Sequence, residues 1–143
     1  MESIIELWDE WREDLESHPK PNQWRTLAYF LTAYYAGGMR FGDVAFMEWD
    51  HIPGWPGPGA RVKYKMGKTG DVTALPVVPK LREILELFDD RREEHERVFP
   101  IMDNRDISTP EARNNAKKRA NALTNKYLRQ IADQLDNLCC DLQ

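Results

Sequence analysis

An aromatic-rich helical stretch from Trp24 to Tyr35 runs into Gly37-Gly38. The chain then reads Met39-Arg40-Phe41-Gly42-Asp43-Val44-Ala45-Phe46-Met47-Glu48-Trp49. Paired glycines end a helix and let the backbone turn sharply, because glycine enters the left-handed region at no steric cost. The chain is therefore expected to form a helix, a corner and a second short apolar helix here. Arg40 falls on the corner, where a guanidinium can be aimed rather than left in solvent. A planar cation held this way suits two-pronged recognition of a phosphate or carboxylate. Asp43, one turn further on, is the expected brace. From spacing alone, a purely structural ion pair accounts for the same two residues.

A second constraint comes from residues 61–78, Arg-Val-Lys-Tyr-Lys-Met-Gly-Lys-Thr-Gly-Asp-Val-Thr-Ala-Leu-Pro-Val-Val. Residues 61–66 alternate, and 72–78 are β-branched and apolar. Gly67-Lys68-Thr69-Gly70 lies between them, which predicts a β-hairpin with Lys68 at its tip. Arg61, Lys63 and Lys65 recur every second residue and share one strand face, with Tyr64 opposite. Such a face can track a DNA backbone or can simply be solvated. Gly67-Lys68-Thr69 is not the end of a nucleotide-binding P-loop. Position 62 is valine where that motif needs glycine, and a strand follows where it needs a helix.

Taken together, the two segments resemble the catalytic domain of the tyrosine recombinases, the phage-integrase family. The family's first box reads Gly-(Leu/Met)-Arg-x-x-(Glu/Asp), then an apolar run and Trp-x-x-Ile. It stands here as Gly38-Met39-Arg40-Phe41-Gly42-Asp43 with Trp49-Asp50-His51-Ile52. The family's hairpin lysine corresponds to Lys68-Thr69-Gly70, followed by Leu75-Pro76-Val77. The wording is similar to that of integrases from mobile elements of Bacteroidetes-type bacteria, over about residues 20–135. The resemblance implies that Arg40 stabilises the scissile phosphate and that Lys68 protonates the leaving 5′-oxygen, with Asp43 in support. It implies no cofactor and no metal. The implied partners are double-stranded DNA and other recombinase protomers.

The family pattern continues into a His-x-x-Arg box and a nucleophilic tyrosine. Neither His18, His51 nor His95 has an arginine three residues on. The chain is thus expected to be the first part of such a catalytic domain, one unit over 1–143, without a nucleophile and inactive alone. Tyr127, mid-helix in Asn-Lys-Tyr-Leu-Arg, reads as a packing residue. The alternative is a non-catalytic remnant that binds DNA or a recombinase.

Net charge is −4, which argues mildly against a nucleic-acid partner. The distribution weakens that objection. Residues 1–20 carry seven acids against two bases, whereas 21–80, which hold both motifs, carry seven bases against four acids. Weak DNA binding by this chain is expected, because phosphate neutralisation dominates affinity. Lys117, Lys118, Arg119, Lys126 and Arg129 give the last helix a basic side, which suits DNA contact or plain solvation. No run is long enough to span a membrane. The two cysteines, Cys139 and Cys140, are adjacent and offer no disulfide framework, so a cytoplasmic location is expected.

The remaining pattern predicts a mainly α fold with a small antiparallel β-sheet (α+β). Helices are expected over 3–17, capped by Ser3 with Glu6, and over 22–36, capped by Asn22. Others are expected over 41–48, over 79–89, and from a Thr109 cap to about 136, interrupted near Asn121. Residues 53–60 form a proline–glycine loop, and Trp49–Ile52 is a candidate third strand.

Overall fold

The structure, a computed structural model, describes residues 2–65 and 72–141, with side chains over 3–65 and 72–136. Lys68 and the hairpin tip lie outside the described residues. So do the side chains of Cys139 and Cys140.

The fold is mainly helical with one two-stranded antiparallel sheet. Its helices are α1 (Glu2–Trp11), α2 (Pro21–Tyr35), α3 (Phe41–Ala45), α4 (Pro79–Leu87) and α5 (Pro110–Asp141). Strands β1 (Arg61–Lys65) and β2 (Val72–Pro76) pair with Arg61 opposite Pro76 and Lys65 opposite Val72. No helix of the described residues is long and apolar enough to cross a membrane.

Helix α2 is the centre of the core. Leu27, Ala28 and Leu31 recur at helical spacing and are fully buried. They share one apolar cluster with Trp8 of α1, Leu81, Ile84 and Leu85 of α4, Val62 of β1 and Ile131 of α5. Tyr29, Phe88 and Phe99 form an aromatic knot inside it, with Tyr29–Phe99 and Phe88–Phe99 centroids 5.2 and 4.9 Å apart. Edge-on geometries such as these suit the ring quadrupoles.

Several element ends differ from expectation. The first α-helix starts at Glu2 and gives way to a 3₁₀ turn at Arg12–Asp14, so Ser3 lies inside it and is not its cap. Helix α2 starts one residue early because Pro21 occupies its first position, where a missing N–H costs nothing. Asn22 is then freed from capping, and its Nδ2 donates to the Tyr127 hydroxyl on α5 at 3.2 Å. Trp49–His51 is a 3₁₀ turn and not a third strand. A reciprocal cap explains this: the Glu48 side chain accepts from the His51 backbone, and the Glu48 N–H donates to His51 Nδ1 at 3.0 Å. Only an isolated bridge, Glu48 to Arg97, remains of sheet-like pairing there. Finally, α5 runs through Asn121 without a break. Ala116, Ala120 and Ile131 are buried along one side of it, while Asn121 is exposed. Tertiary packing thus outweighs the poor helix propensity of a solvent-facing asparagine.

Candidate functional site

The corner before Arg40 is built by hydrogen bonds that only a left-handed exit permits. Gly37 and Gly38 have φ of 77° and 83°. The Gly38 N–H donates to the Ala33 carbonyl at 2.9 Å and the Gly37 N–H to that of Tyr34 at 3.2 Å. This is the Schellman arrangement, which satisfies the last carbonyls of α2. Gly37 also meets β2 closely: a Cβ there would lie 2.9 Å from Leu75 Cδ1. Met39 then drops into the core, 5% exposed, and anchors the chain. Arg40 follows with extended backbone as the residue before α3, and its side chain stays exposed.

Arg40 stands on one bank of a groove of about 720 Å³, together with Asp43 and Phe46; Arg113, Lys117 and Lys118 of α5 form the other bank. The sequence separates these banks by more than 60 residues, and packing closes them together. Ala116 and Ala120 of α5 join Ala45 and Met102 in a small apolar cluster, with Phe41 and Phe46 against it. Alanine at those positions lets α5 approach α3. Gly42 assists on the same contact, since a Cβ there would lie 2.9 Å from Lys117 Cδ. The lysine stem therefore lies across the glycine.

A second pocket, of about 320 Å³, adjoins the first. It shares Asp43, Phe46 and Arg113, and it adds His51, Tyr64 and Lys65. The tip-proximal end of β1 therefore borders the Arg40 groove. Tyr64 is tied down by its hydroxyl, which donates to the Ala36 carbonyl at 3.3 Å.

Among the described residues, Asp43 and Arg40 form no ion pair; they meet through the Asp43 N–H, which donates to the Arg40 carbonyl at 3.0 Å. Helix α3 starts between them, so their backbones are joined while both side chains line the groove.

Of the other candidate cations, Lys117 and Lys118 reach the Arg40 groove and Lys65 reaches its neighbour. Arg61 and Lys63 are exposed on β1 and line neither pocket. Lys126 is nine residues beyond Lys117, half a turn out of phase at 100° per residue, and its ammonium lies 6.0 Å from the Tyr127 ring. Tyr127 itself is half-buried, with its hydroxyl accepting from Asn22.

Arg113 is the residue that sequence reasoning missed. It lines both pockets, and its guanidinium carbon sits 4.0 Å from the centroid of the Phe46 ring, a cation–π contact that holds it over the groove. Its spacing of four from Lys117 was the available signal, because such residues share a helix face.

Among the described residues, four cations, Arg40, Arg113, Lys117 and Lys118, thus surround one groove lined by a single carboxylate, Asp43. The arrangement can neutralise a polyanion and can orient a phosphate between two guanidiniums. No protein-family model, curated protein or solved structure matches this chain.

Proposed function

We propose that this chain is the Arg40- and Lys68-bearing part of a tyrosine recombinase catalytic domain, acting on double-stranded DNA in the cytoplasm. The observation that carries the reading is the groove. Arg40 stands exposed at a fixed helix corner, three α5 cations face it, and β1 of the lysine hairpin borders the adjoining pocket. In the reaction implied by the resemblance, a tyrosine hydroxyl attacks the phosphodiester. The 5′-oxygen leaves with a proton, and a 3′-phosphotyrosyl link conserves the bond energy. Arg40 holds two non-bridging oxygens as their charge concentrates. Lys68 supplies the proton, since an alkoxide leaves poorly. Arg113 and Lys117 set the flanking phosphates. The attacking tyrosine and the His-x-x-Arg box are not among these 143 residues, so the chain alone binds DNA without cutting it.

The test is fluorescence anisotropy on a labelled duplex at physiological salt. Binding in the non-specific range of about 10⁻⁴–10⁻⁶ M is expected, weakened by Arg40→Ala and by Lys117→Ala with Lys118→Ala. Absence of binding, or equal binding by all variants, rejects the reading. In a complete recombinase carrying these residues, Arg40→Lys keeps the charge but loses the planar fork. It should slow strand cleavage by about 10²–10³-fold and leave affinity nearly unchanged. Loss of binding alone favours the rival, a module that docks on DNA without chemistry. A covalent adduct at Tyr127 on a nicked suicide duplex overturns the packing role of that residue.

A further inference from the structure

A pocket of about 610 Å³ opens between the 49–56 loop and the 92–96 turn. Its character is the reverse of the Arg40 groove. Trp49 and Trp55 form its aromatic wall, with centroids 5.9 Å apart and planes inclined by 31°. Asp50, Glu93, Glu94 and Glu96 line it with them. None of these four acids is ion-paired among the described residues. The opposing charge on the lining is Arg92, already 3.6 Å from Asp89, and His95.

The walls are held in place. The Trp55 indole N–H donates to Asp89 at 2.8 Å. The Trp49 backbone N–H donates to the Glu96 carbonyl at 2.9 Å, which ties loop to turn. The Trp55 ring already carries a cation: Arg82 of α4 lies with its guanidinium carbon 5.0 Å from the ring centroid. The indole N–H of Trp49, a residue only 9% exposed, is buried without a hydrogen-bond partner among the described residues.

We infer that this pocket docks a cationic peptide segment of a protein partner, with an arginine or lysine side chain against the two tryptophans. Indole faces attract guanidinium and ammonium groups, and a guanidinium stacks on them as well. Carboxylates without an ion-pair partner gain from a cation brought among them. A bare metal ion leaves the aromatic wall unused, whereas an arginine or lysine side chain of a peptide brings a cation and a long apolar stem together. The inference is independent of the DNA-directed reading of the Arg40 groove.

The experiment follows the indole N–H resonances of the ¹⁵N-labelled chain while acetylated tetra-arginine amide is added. There are five tryptophans, and Trp49→Phe and Trp55→Phe assign the two that matter. Those two resonances should shift saturably, and tetra-glutamate should leave them in place. The triple variant Glu93→Gln, Glu94→Gln, Glu96→Gln should bind about tenfold more weakly. A second triple variant, Glu10→Gln, Glu13→Gln, Glu16→Gln, makes the same change in net charge on exposed residues of the first 16 and should bind like the parent. Shifts confined to other tryptophans, or equal weakening in both triple variants, would show only general attraction to an acidic chain and would overturn the inference, as would the absence of any shift.

Discussion

At the residue scale, single atoms decide what the groove presents. Gly42 lies in helical backbone, so an alanine there brings no backbone strain, and in a helix alanine is favoured over glycine by up to about 1 kcal/mol. Its Cβ, however, would stand 2.9 Å from Lys117 Cδ, and the flexible stem must move away. Gly42→Ala should therefore leave the melting temperature unchanged or slightly raised while weakening DNA binding; a loss of stability with intact binding would contradict this placement of Lys117. Asp103 is the second case. Its carboxylate takes two hydrogen bonds from Arg91, at 2.8 and 3.1 Å, and these hold its pKa below the ordinary 3.8, against the opposing effect of burial. The folded pKa is the lower one, so the contribution is complete above about pH 4 and is lost as pH falls through the folded value. Asp103→Asn should cost about 1–3 kcal/mol at pH 7. Urea midpoints measured from pH 7 down to pH 2 should show that difference shrinking only below pH 4.

At the element scale, α5 carries most of the groove's charge, and its position depends on its start. The Ala112 N–H donates to Thr109 Oγ1 at 3.0 Å, and Pro110 follows at the first helical position. Thr109→Ala should lower stability by about 1 kcal/mol, read as a shift in chemical-denaturation midpoint at constant slope. Binding should survive, because Ala116 and Ala120 still seat the helix beside α3. The hairpin is set differently. Arg61, Lys63 and Lys65 are all exposed while Val62 is buried, so strand alternation alone dictates their shared face. That alternation was legible in the sequence. The contrast with Trp49–Ile52 is instructive. Its aromatic and β-branched ends, Trp49 and Ile52, suit a strand, but a Glu48–His51 cap reached across three residues and closed a turn instead.

At the scale of the whole molecule, charge is segregated, so a net acidic chain still carries a basic groove. If the four groove cations neutralise four phosphates, log affinity against log salt should fall with a slope of about −3 to −4, and Arg40→Ala should flatten it by about 0.9. A slope near zero would mean that the groove does not hold DNA backbone. Local rules within the sequence determined the helix-breaking Gly37-Gly38 corner, the exposed Arg40 after a buried Met39, the 61–76 hairpin pairing and the Thr109–Pro110 start of α5. Each rests on backbone sterics, two-residue or 3.6-residue periodicity, or a cap, which act over a few neighbouring positions. The tertiary structure alone decided that Lys117 and Lys118 face Arg40, that Arg113 stacks on Phe46, and that Asp43 lines the groove without pairing to Arg40. It also gathered two tryptophans and four acids into a separate pocket between the 49–56 loop and the 92–96 turn. Those outcomes depend on how closely α5 can approach α3 and how the loop meets the turn. Such distances are set by packing between residues far apart in the chain, which no local pattern encodes.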